Sequence, residues 1–248
     1  MPYATPRLII FAAFVAAAAA FLVAATTDDG VPDHRYLEYA KGFAPYTAKL
    51  KSECGKAKCH ASAVCIADHW AMTAAHVLED AGETTLTIGD KTWAVDRIVV
   101  HPDFFQGKHG VADIALLHVD EPFGLDYYPP LSDGDEVIGD VVSVVGYGIT
   151  GRMSSGHSIA DGRLRAGTNH IERFEAGMIV CTASPGRSPL EACIAPGDSG
   201  GPLFCRGRLT GINSMTFATK GPLKSRTGEE SGHTRVWLHR EWIGEVTR

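Results

Sequence analysis

The stretch from Ala195 to Phe204, APGDSGGPLF, decides between two folds because it places one serine among glycines and beside an aspartate. Its centre, Gly197 to Gly201, satisfies G-x-S-x-G, the pattern of a strained turn between a strand and a helix. The same glycines also suit a turn whose backbone N–H groups face an oxyanion that develops beside Ser199. A serine hydroxyl is a weak nucleophile without a neighbouring base. The positions of histidine and acidic residues along the chain therefore have to distinguish these two interpretations of Ser199.

Length, composition and charge restrict the class of protein. The chain has 248 residues, of which 45% are hydrophobic and 21% charged, as is ordinary for a globular protein. Its formal net charge of -6 at pH 7 offers no general attraction to a polyanion. We therefore expect no nucleic-acid partner.

The first 25 residues carry the pattern of a secretory signal. One basic residue, Arg7, precedes an apolar run from Leu8, and Val23 and Ala25 suit the small-residue positions of a cleavage site after Ala25. The run is also close to the ~17–25 residues that span a bilayer, so an uncleaved membrane anchor is the alternative. In either case we expect the remaining chain outside the cytoplasm, as a secreted protein that is extracellular or periplasmic.

The cysteines all lie beyond this signal, at Cys54, Cys59, Cys65, Cys181, Cys193 and Cys205. An even count in an exported chain favours disulfides, although sequence does not select the pairing. The cluster CGKAKCHASAVC, residues 54–65, adds His60 as a fourth zinc-type ligand but lacks the C-x-x-C spacing of zinc sites. We expect a local disulfide and a buried thiol here, with no metal and no organic cofactor.

Short runs rich in Val, Ile, Thr and Leu recur between turn residues and predict an all-β sandwich or barrel. The clearest strands are TLTIG (85–89), WAVDRIVV (93–100), DIALLHV (113–119), VVSVVGYG (141–148) and RLTGINSM (208–215). Helical spacing of apolar residues is found in the last segment, VWLHREWIGEV (236–246). The turn-rich stretch 123–136 predicts a linker between two halves, and 148–162 predicts a long surface loop.

The order of candidate catalytic residues separates the two interpretations of Ser199. An α/β-hydrolase places its acid and then its histidine after the serine, but no aspartate follows Ser199. The opposite order is present upstream, with His76 in WAMTAAHVLED and Asp113 in GVADIALLHV, at spacings of 37 and 86 residues. Taken alone, each motif also has a purely structural explanation. The serine motif could be a tight glycine turn, His76 a core histidine and Asp113 a strand-end cap. Together and in this order they favour a nucleophilic serine with its base and its orienting carboxylate.

These motifs resemble those of the trypsin-like serine proteases of chymotrypsin fold: TAAH, DIALL and GDSGGPL. Similarity also covers HPDF, GYG, GINS, HTRV and REWI, so it extends over nearly everything after Tyr36. The resemblance implies an all-β fold of two antiparallel six-stranded β-barrels with a C-terminal helix. The protease domain would span 36–248, with one barrel at about 36–128 and the other at about 129–248.

The resemblance also implies an activity and its residues. The chain would be a serine endopeptidase for protein or peptide substrates, with protein inhibitors as further partners; the alternative is a catalytically inactive binding protein of the same fold. Ser199 would be the nucleophile, His76 the general base and Asp113 its orienting acid, with the amides of Gly197 and Ser199 as the oxyanion hole. Residues similar to the family's substrate-binding positions are Glu191, Ser214, Thr216, Ser231 and Gly232.

Among these, Glu191 would favour Arg or Lys in the substrate, because it falls near the place of a pocket-floor acid. Two extra residues before the serine motif leave that register open, and a solvated loop charge is the alternative. Residues 26–35 are expected to be a propeptide or linker. Cleavage after Arg35 would then deliver the ammonium of Tyr36 to Asp198, although YLEY departs from the usual Ile-Val-Gly-Gly. Cys205 occupies a position similar to that of a family disulfide cysteine, but Val142 stands where its usual partner would be. Cys181 or Cys193 is therefore the expected disulfide partner of Cys205.

Overall fold

A computed structural model describes residues 25–55, 57–106, 112–159, 161–217 and 224–248. The predicted signal or anchor therefore lies outside the described residues, except for Ala25. Within these ranges, no helix combines the length and the apolar character needed to cross a bilayer.

Short strands dominate, as the sequence predicts. In chain order the strands are β1 (Thr26–Thr27), β2 (Thr47–Cys54), β3 (Ala57–Ala67), β4 (Trp70–Thr73), β5 (Ala81–Ile88), β6 (Lys91–Val100), β7 (Ala115–Val119), β8 (Val141–Gly146), β9 (Thr150–Arg152), β10 (Gly156–Ile159), β11 (Arg165–His170), β12 (Arg173–Glu175), β13 (Met178–Thr182), β14 (Ala192–Cys193), β15 (Pro202–Cys205), β16 (Arg208–Phe217) and β17 (Glu230–Arg235). The helices are α1 (Asp33–Ala40) and α2 (Arg240–Val246), and 3-10 turns cover Ala44–Tyr46, Ala75–Leu78, Pro102–Gln106 and Val236–His239.

The first half forms a closed antiparallel barrel in the order β2-β3-β4-β7-β6-β5. Its strands alternate, so that one set of side chains fills the interior and the other faces outward. Leu50, Ala61, Leu86, Trp93 and Leu117 are among the residues packed inside. Interior packing of this kind fixes the register, because a slip by one residue would turn every apolar side chain outward.

The second half is a seven-stranded sheet in the order β11-β8-β15-β16-β17-β13-β12, with Val144, Ile179 and Leu203 in its core. A smaller sheet, β10-β9-β1-β14, lies beside it. The predicted all-β, chymotrypsin-like class with a C-terminal helix is confirmed. Its second half is an open seven-stranded sheet where the sequence led us to expect a six-stranded barrel.

Two local features differ from the sequence predictions. Helix α1 was not predicted, because two turns with only Tyr36 and Ala40 buried give too few repeats for a periodic signal. The expected surface loop 148–162 contains the paired strands β9 and β10. Strand β9 also pairs in parallel with β1, a partner more than a hundred residues away, so no local pattern announces it.

The cysteines form the disulfide expected within residues 54–65 but not the one expected between Cys205 and Cys181 or Cys193. Cys54 and Cys59 form a disulfide with Cα atoms 6.0 Å apart, and Cys65 is a buried free thiol. Cys181, Cys193 and Cys205 are also buried free thiols, so Cys205 has neither expected partner. Among the described side chains, no group of three or more His, Cys, Asp or Glu is arranged to hold a metal ion.

Candidate active site

Three side chains from distant parts of the chain meet where the barrel joins the seven-stranded sheet. His76 lies on the 3-10 turn after β4, Asp113 just before β7, and Ser199 between β14 and β15. The Nε2 atom of His76 is 3.0 Å from Ser199 Oγ, and its Nδ1 atom is 2.7 Å from Asp113 Oδ2. The structure therefore brings together all three residues that sequence analysis singled out.

Asp113 is held by donors from both halves of the molecule. Its Oδ1 accepts the backbone N–H of His76 (2.9 Å), and its Oδ2 accepts the hydroxyl of Ser214 (2.5 Å) as well as His76. Thr234 Oγ1 donates to the Asp113 carbonyl at 3.0 Å. Burial opposes ionisation of the carboxyl, but His76 and these hydrogen bonds outweigh it, and the pKa of Asp113 is lowered. The side chain is therefore a carboxylate at neutral pH.

His76 is arranged to accept a proton from Ser199. Burial by itself lowers the pKa of the imidazole, but the Asp113 carboxylate outweighs it, and the pKa of His76 is raised above 6.5. The raised pKa makes the imidazole a stronger proton acceptor. The hydrogen bond from Nδ1 to Asp113 leaves Nε2 as the nitrogen that faces the serine.

The turn that carries Ser199 is anchored on both sides. Ser62 of β3 donates its N–H to the Ser199 carbonyl (2.9 Å) and its hydroxyl to the Gly197 carbonyl (3.0 Å). Gly200 donates to the Asn213 carbonyl of β16 at 2.8 Å. Gly200 has a φ of +80°, and a Cβ there would lie 1.9 Å from Thr73 Oγ1, so only glycine fits.

The amides of Gly197 and Ser199 have no acceptor within the described part of the chain. Two neighbouring N–H groups left free beside a serine hydroxyl suit the negative oxygen of a tetrahedral intermediate. The local conformation depends on Gly197, whose φ is +93°.

The carboxylate of Asp198 is completely buried next to this turn and accepts backbone N–H groups. Its Oδ2 accepts from Ala25 (2.9 Å) and Ala195 (2.9 Å), and its Oδ1 accepts from Gly148 (2.8 Å). Burial raises the pKa of Asp198 to about 6 although these three hydrogen bonds oppose the shift. A Cβ at Gly148 would lie 2.4 Å from the Asp198 nitrogen, so glycine permits this close approach.

Ala25, rather than Tyr36, supplies the nitrogen beside Asp198. Strand β1, which follows Ala25, is buried between β9 and β14. Arg35 and Tyr36 both lie inside α1, and the buried Tyr36 hydroxyl donates to the Glu191 carbonyl at 3.0 Å. Residues 26–28 are thus buried in the fold, and the bond after Arg35 lies within a helix.

The predicted substrate-binding residues fall into two places. Thr216 of β16 is paired with Ser231 of β17, and Gly232 lies opposite Met215, so these three residues are close to Ser214, whose hydroxyl donates to Asp113.

Glu191 is separate from these walls, in the loop that leads into β14, and its side chain is completely buried. It accepts the Ser184 N–H (3.2 Å) and the Ser188 hydroxyl (2.6 Å), so it is not a solvated loop charge. Burial raises the pKa of Glu191.

Sequence analysis missed three residues that support the site. Ser62 anchors the serine turn, while Asn213 donates to the carbonyls of Val145 (2.9 Å) and Asp198 (3.2 Å). His233 contacts Asn213 Oδ1 through Nδ1 at 2.8 Å, and burial lowers its pKa to about 3, so this imidazole is neutral. The motifs GINS and HTRV contain Asn213 and His233, but no local signal points to Ser62.

Comparison with known proteins agrees with this arrangement. A family model described as Trypsin matches residues 36–243. An uncharacterized peptidase of Corynebacterium glutamicum is 25% identical over 253 residues, which cover 99% of this chain and 83% of that protein. Mast cell protease 2 of Ovis aries is 30% identical over 198 residues, which cover 71% of this chain and 74% of that protein.

A solved structure shares the fold. Neuropsin, a serine protease expressed in the limbic system of mouse brain, aligns with a TM-score of 0.67 at 20% identity, covering 90% of this chain and 99% of that one. The fold, the grouping of His76, Asp113 and Ser199, and the family match over 36–243 lead to one conclusion: the chain belongs to the Trypsin family, the trypsin-like serine proteases.

Proposed function

We propose that this protein is an exported serine endopeptidase in which Ser199, His76 and Asp113 form the catalytic triad. The observation that carries the proposal is the continuous chain of contacts from Ser199 Oγ to His76 Nε2 (3.0 Å) and from His76 Nδ1 to Asp113 Oδ2 (2.7 Å). A nucleophilic serine requires this relation to a base and an orienting acid.

In the proposed reaction, Ser199 Oγ attacks the carbonyl carbon of the scissile peptide while His76 Nε2 takes the hydroxyl proton. The amides of Gly197 and Ser199 hold the negative oxygen of the intermediate, each such donor being worth roughly 10²–10³ in rate. His76 then gives its proton to the leaving nitrogen, the C–N bond breaks, and an acyl group remains on Ser199. Water attacks this ester with His76 again as base, which releases the acid and restores the hydroxyl.

We further propose that the mature enzyme begins at Ala25, which moves the cleavage site from after Ala25, where the small-residue pattern places it, to after Ala24. Residues 26–35 are then part of the mature enzyme, and no cleavage after Arg35 is needed. Asp198 is fully buried and receives only neutral N–H donors from the described residues. A buried carboxylate without a cation is strongly unfavourable. A free α-amino group at Ala25, 2.9 Å from Oδ2, would supply that charge and brace the turn of Gly197. N-terminal sequencing of the active protein tests this: a start at Thr26 or at Tyr36 would overturn it.

The preference for Arg or Lys rests on Glu191. Its buried carboxyl accepts hydrogen bonds from Ser184 and Ser188, and burial raises its pKa although these bonds and Arg187 oppose the shift. A basic substrate side chain beside this carboxyl would favour its ionised form. The preference therefore remains our prediction for the residue before the scissile bond.

Export is proposed from two features that occur together. The first 25 residues have a signal pattern, and Cys54–Cys59 is a disulfide, which persists in oxidising compartments. We accordingly expect an extracellular or periplasmic enzyme, tethered to a membrane only if the N-terminal segment is retained.

A serine-directed fluorophosphonate probe tests the proposed function. We expect covalent labelling at Ser199 and hydrolysis of a casein or peptide-library substrate, both abolished in Ser199→Ala while the thermal melting curve is retained. Ser154→Ala is the matched control, because Ser154 lies on an exposed turn and bonds Asp29 rather than the triad. An inactive binding protein of the same fold would neither label nor hydrolyse, which would refute the proposal.

A further inference from the structure

The outer face of the hairpin β2–β3 carries basic side chains that the reaction described above does not use. We call Lys49, Lys51, Lys58 and His60 the basic face. Strand alternation turns Leu50 and Ala61 into the barrel core and leaves these four side chains on the opposite side. The disulfide Cys54–Cys59 closes the tip of this hairpin and restrains its shape.

This face begins beside the reactive serine. Lys49 pairs across the ladder with Ser62, whose N–H is 2.9 Å from the Ser199 carbonyl, and Lys51 pairs with His60. A strand rises about 3.3 Å per residue, so His60 lies roughly 7 Å and Lys58 roughly 13 Å along β3 from Ser62. Both distances are within reach of a peptide held at Ser199.

The positive charge of the face is only partly compensated. Lys51 and Lys58 are exposed, and Glu53 lies opposite Lys58 in the ladder. Asp161 approaches Lys49 but is bound to Arg165 by two hydrogen bonds of 2.9 and 2.7 Å.

The pKa of His60 also responds to this excess of positive charge. Burial and then Lys51, Lys49 and Lys58 lower its pKa, so it is neutral at pH 7. Its Nδ1 is buried without a hydrogen-bond partner within the described part of the chain. An acidic ligand on this face would offset the charge of the three lysines.

The position of the face relative to Ser199 determines which part of a substrate meets it. Ser199 lies between β16, reached through Gly200, and β3, reached through Ser62. The proposed pocket walls, Ser214 and Thr216, are on β16 and would hold the substrate before the scissile bond. The chain after the scissile bond then leaves on the opposite side, over β3.

We propose that the basic face selects substrates with Asp or Glu among about the first four residues after the scissile bond, since an extended peptide advances about 3.3–3.6 Å per residue. This inference rests on the proposed function and deepens it by naming a substrate class. The enzyme, although its own net charge is -6, would in this way favour acidic sequence on the leaving-group side.

The test compares internally quenched peptides that are identical before the scissile bond and carry Glu, Gln or Lys at the second and third positions after it. With three exposed or half-buried cations nearby, we expect kcat/KM to be roughly tenfold higher for Glu than for Gln at low salt, and lower still for Lys. The preference should shrink as ionic strength rises. The double variant Lys51→Gln/Lys58→Gln should lose most of the Glu-to-Gln ratio.

The matched control is Lys41→Gln/Lys91→Gln, which removes the same charge from residues paired with Glu38 and Glu121 and should keep the wild-type ratio. Equal rates for Glu and Gln peptides, or a ratio that survives in Lys51→Gln/Lys58→Gln, would overturn the inference while the measured hydrolysis upholds the protease. Absence of hydrolysis of every peptide, together with absence of probe labelling, would instead refute the proposed function on which the inference rests.

Discussion

Replacing Asp198 with asparagine tests whether a free amino group occupies the site beside it. The carboxylate accepts Ala25 and Ala195 at Oδ2 and Gly148 at Oδ1, each within 2.9 Å. An amide has one acceptor oxygen, so in its better orientation it keeps the first two donors and turns its NH₂ towards Gly148. One buried N–H without an acceptor costs about 1–3 kcal/mol.

The cost becomes larger if Ala25 carries an ammonium. Removing one partner of a buried ion pair costs about 3–5 kcal/mol, because the other charge stays buried and unpaired. The substitution should therefore destabilise a protein that starts at Ala25 by about 3–5 kcal/mol, and one that starts a residue earlier, at Ala24, by about 1–3 kcal/mol. In the active enzyme, displacement of the Gly197 amide should also reduce kcat by as much as about 10²–10³-fold.

Urea unfolding at pH 7 measures the cost of Asp198→Asn in the form that starts at Ala25 and in the form that starts at Ala24, which requires four proteins. All four carry Ser199→Ala to prevent self-cleavage. The cycle isolates the coupling between the amino group and the carboxylate. An equal cost of Asp198→Asn in the Ala25 and Ala24 forms would refute the ammonium and, with it, our account of how the chain matures.

Three further predictions concern pH, backbone and specificity. The acid limb of kcat/KM should have its midpoint above pH 6.5, because His76 must be neutral to act as a base and its pKa is raised. Asp113→Asn should move this limb to lower pH and reduce kcat about 10⁴-fold. A limb that does not move would contradict the electrostatic coupling between Asp113 and His76. Gly200→Ala should destabilise the fold by about 2–4 kcal/mol in chemical unfolding. The control Gly207→Ala should cost about 1 kcal/mol, because Gly207 also has a positive φ but no atom lies within 4 Å of a Cβ there. Equal costs would exclude the predicted clash with Thr73. Glu191→Gln should lower the ratio of cleavage after Arg to cleavage after Leu about tenfold, equivalent to ~1.4 kcal/mol, and an unchanged ratio in a peptide library would remove Glu191 from the specificity pocket.

The three candidate catalytic residues were predictable because the proposed chemistry constrains short pieces of chain. A nucleophilic serine in a glycine turn, a histidine after small residues and an aspartate at a strand end each leave a local motif, and their order selected the fold. Strands such as β7 and β16 were visible for a related reason, since apolar runs between turn residues reflect one element at a time.

Other parts of the site depend on contacts that no local pattern encodes. Ala25 lies 173 residues from Asp198, and Ser62 lies 135 residues from Gly197. The first contact uses the backbone N–H of Ala25, which leaves no side-chain signal, and the second uses the hydroxyl of Ser62, a residue in a strand without a recognisable motif. The resemblance to the family suggested Tyr36 as the partner of Asp198, whereas the contact of Ala25 with Asp198 is visible only in the tertiary structure.

The sequence by itself therefore determined the family, the all-β class and the three candidate catalytic side chains. The tertiary structure decided which nitrogen meets Asp198, that Glu191 is buried and that Lys51 and His60 share the face beside Ser199. The physical reason is the range of the interactions. Motifs report bonding within a few residues, whereas burial and charge at this site arise from strands that are distant in the chain and adjacent only after folding.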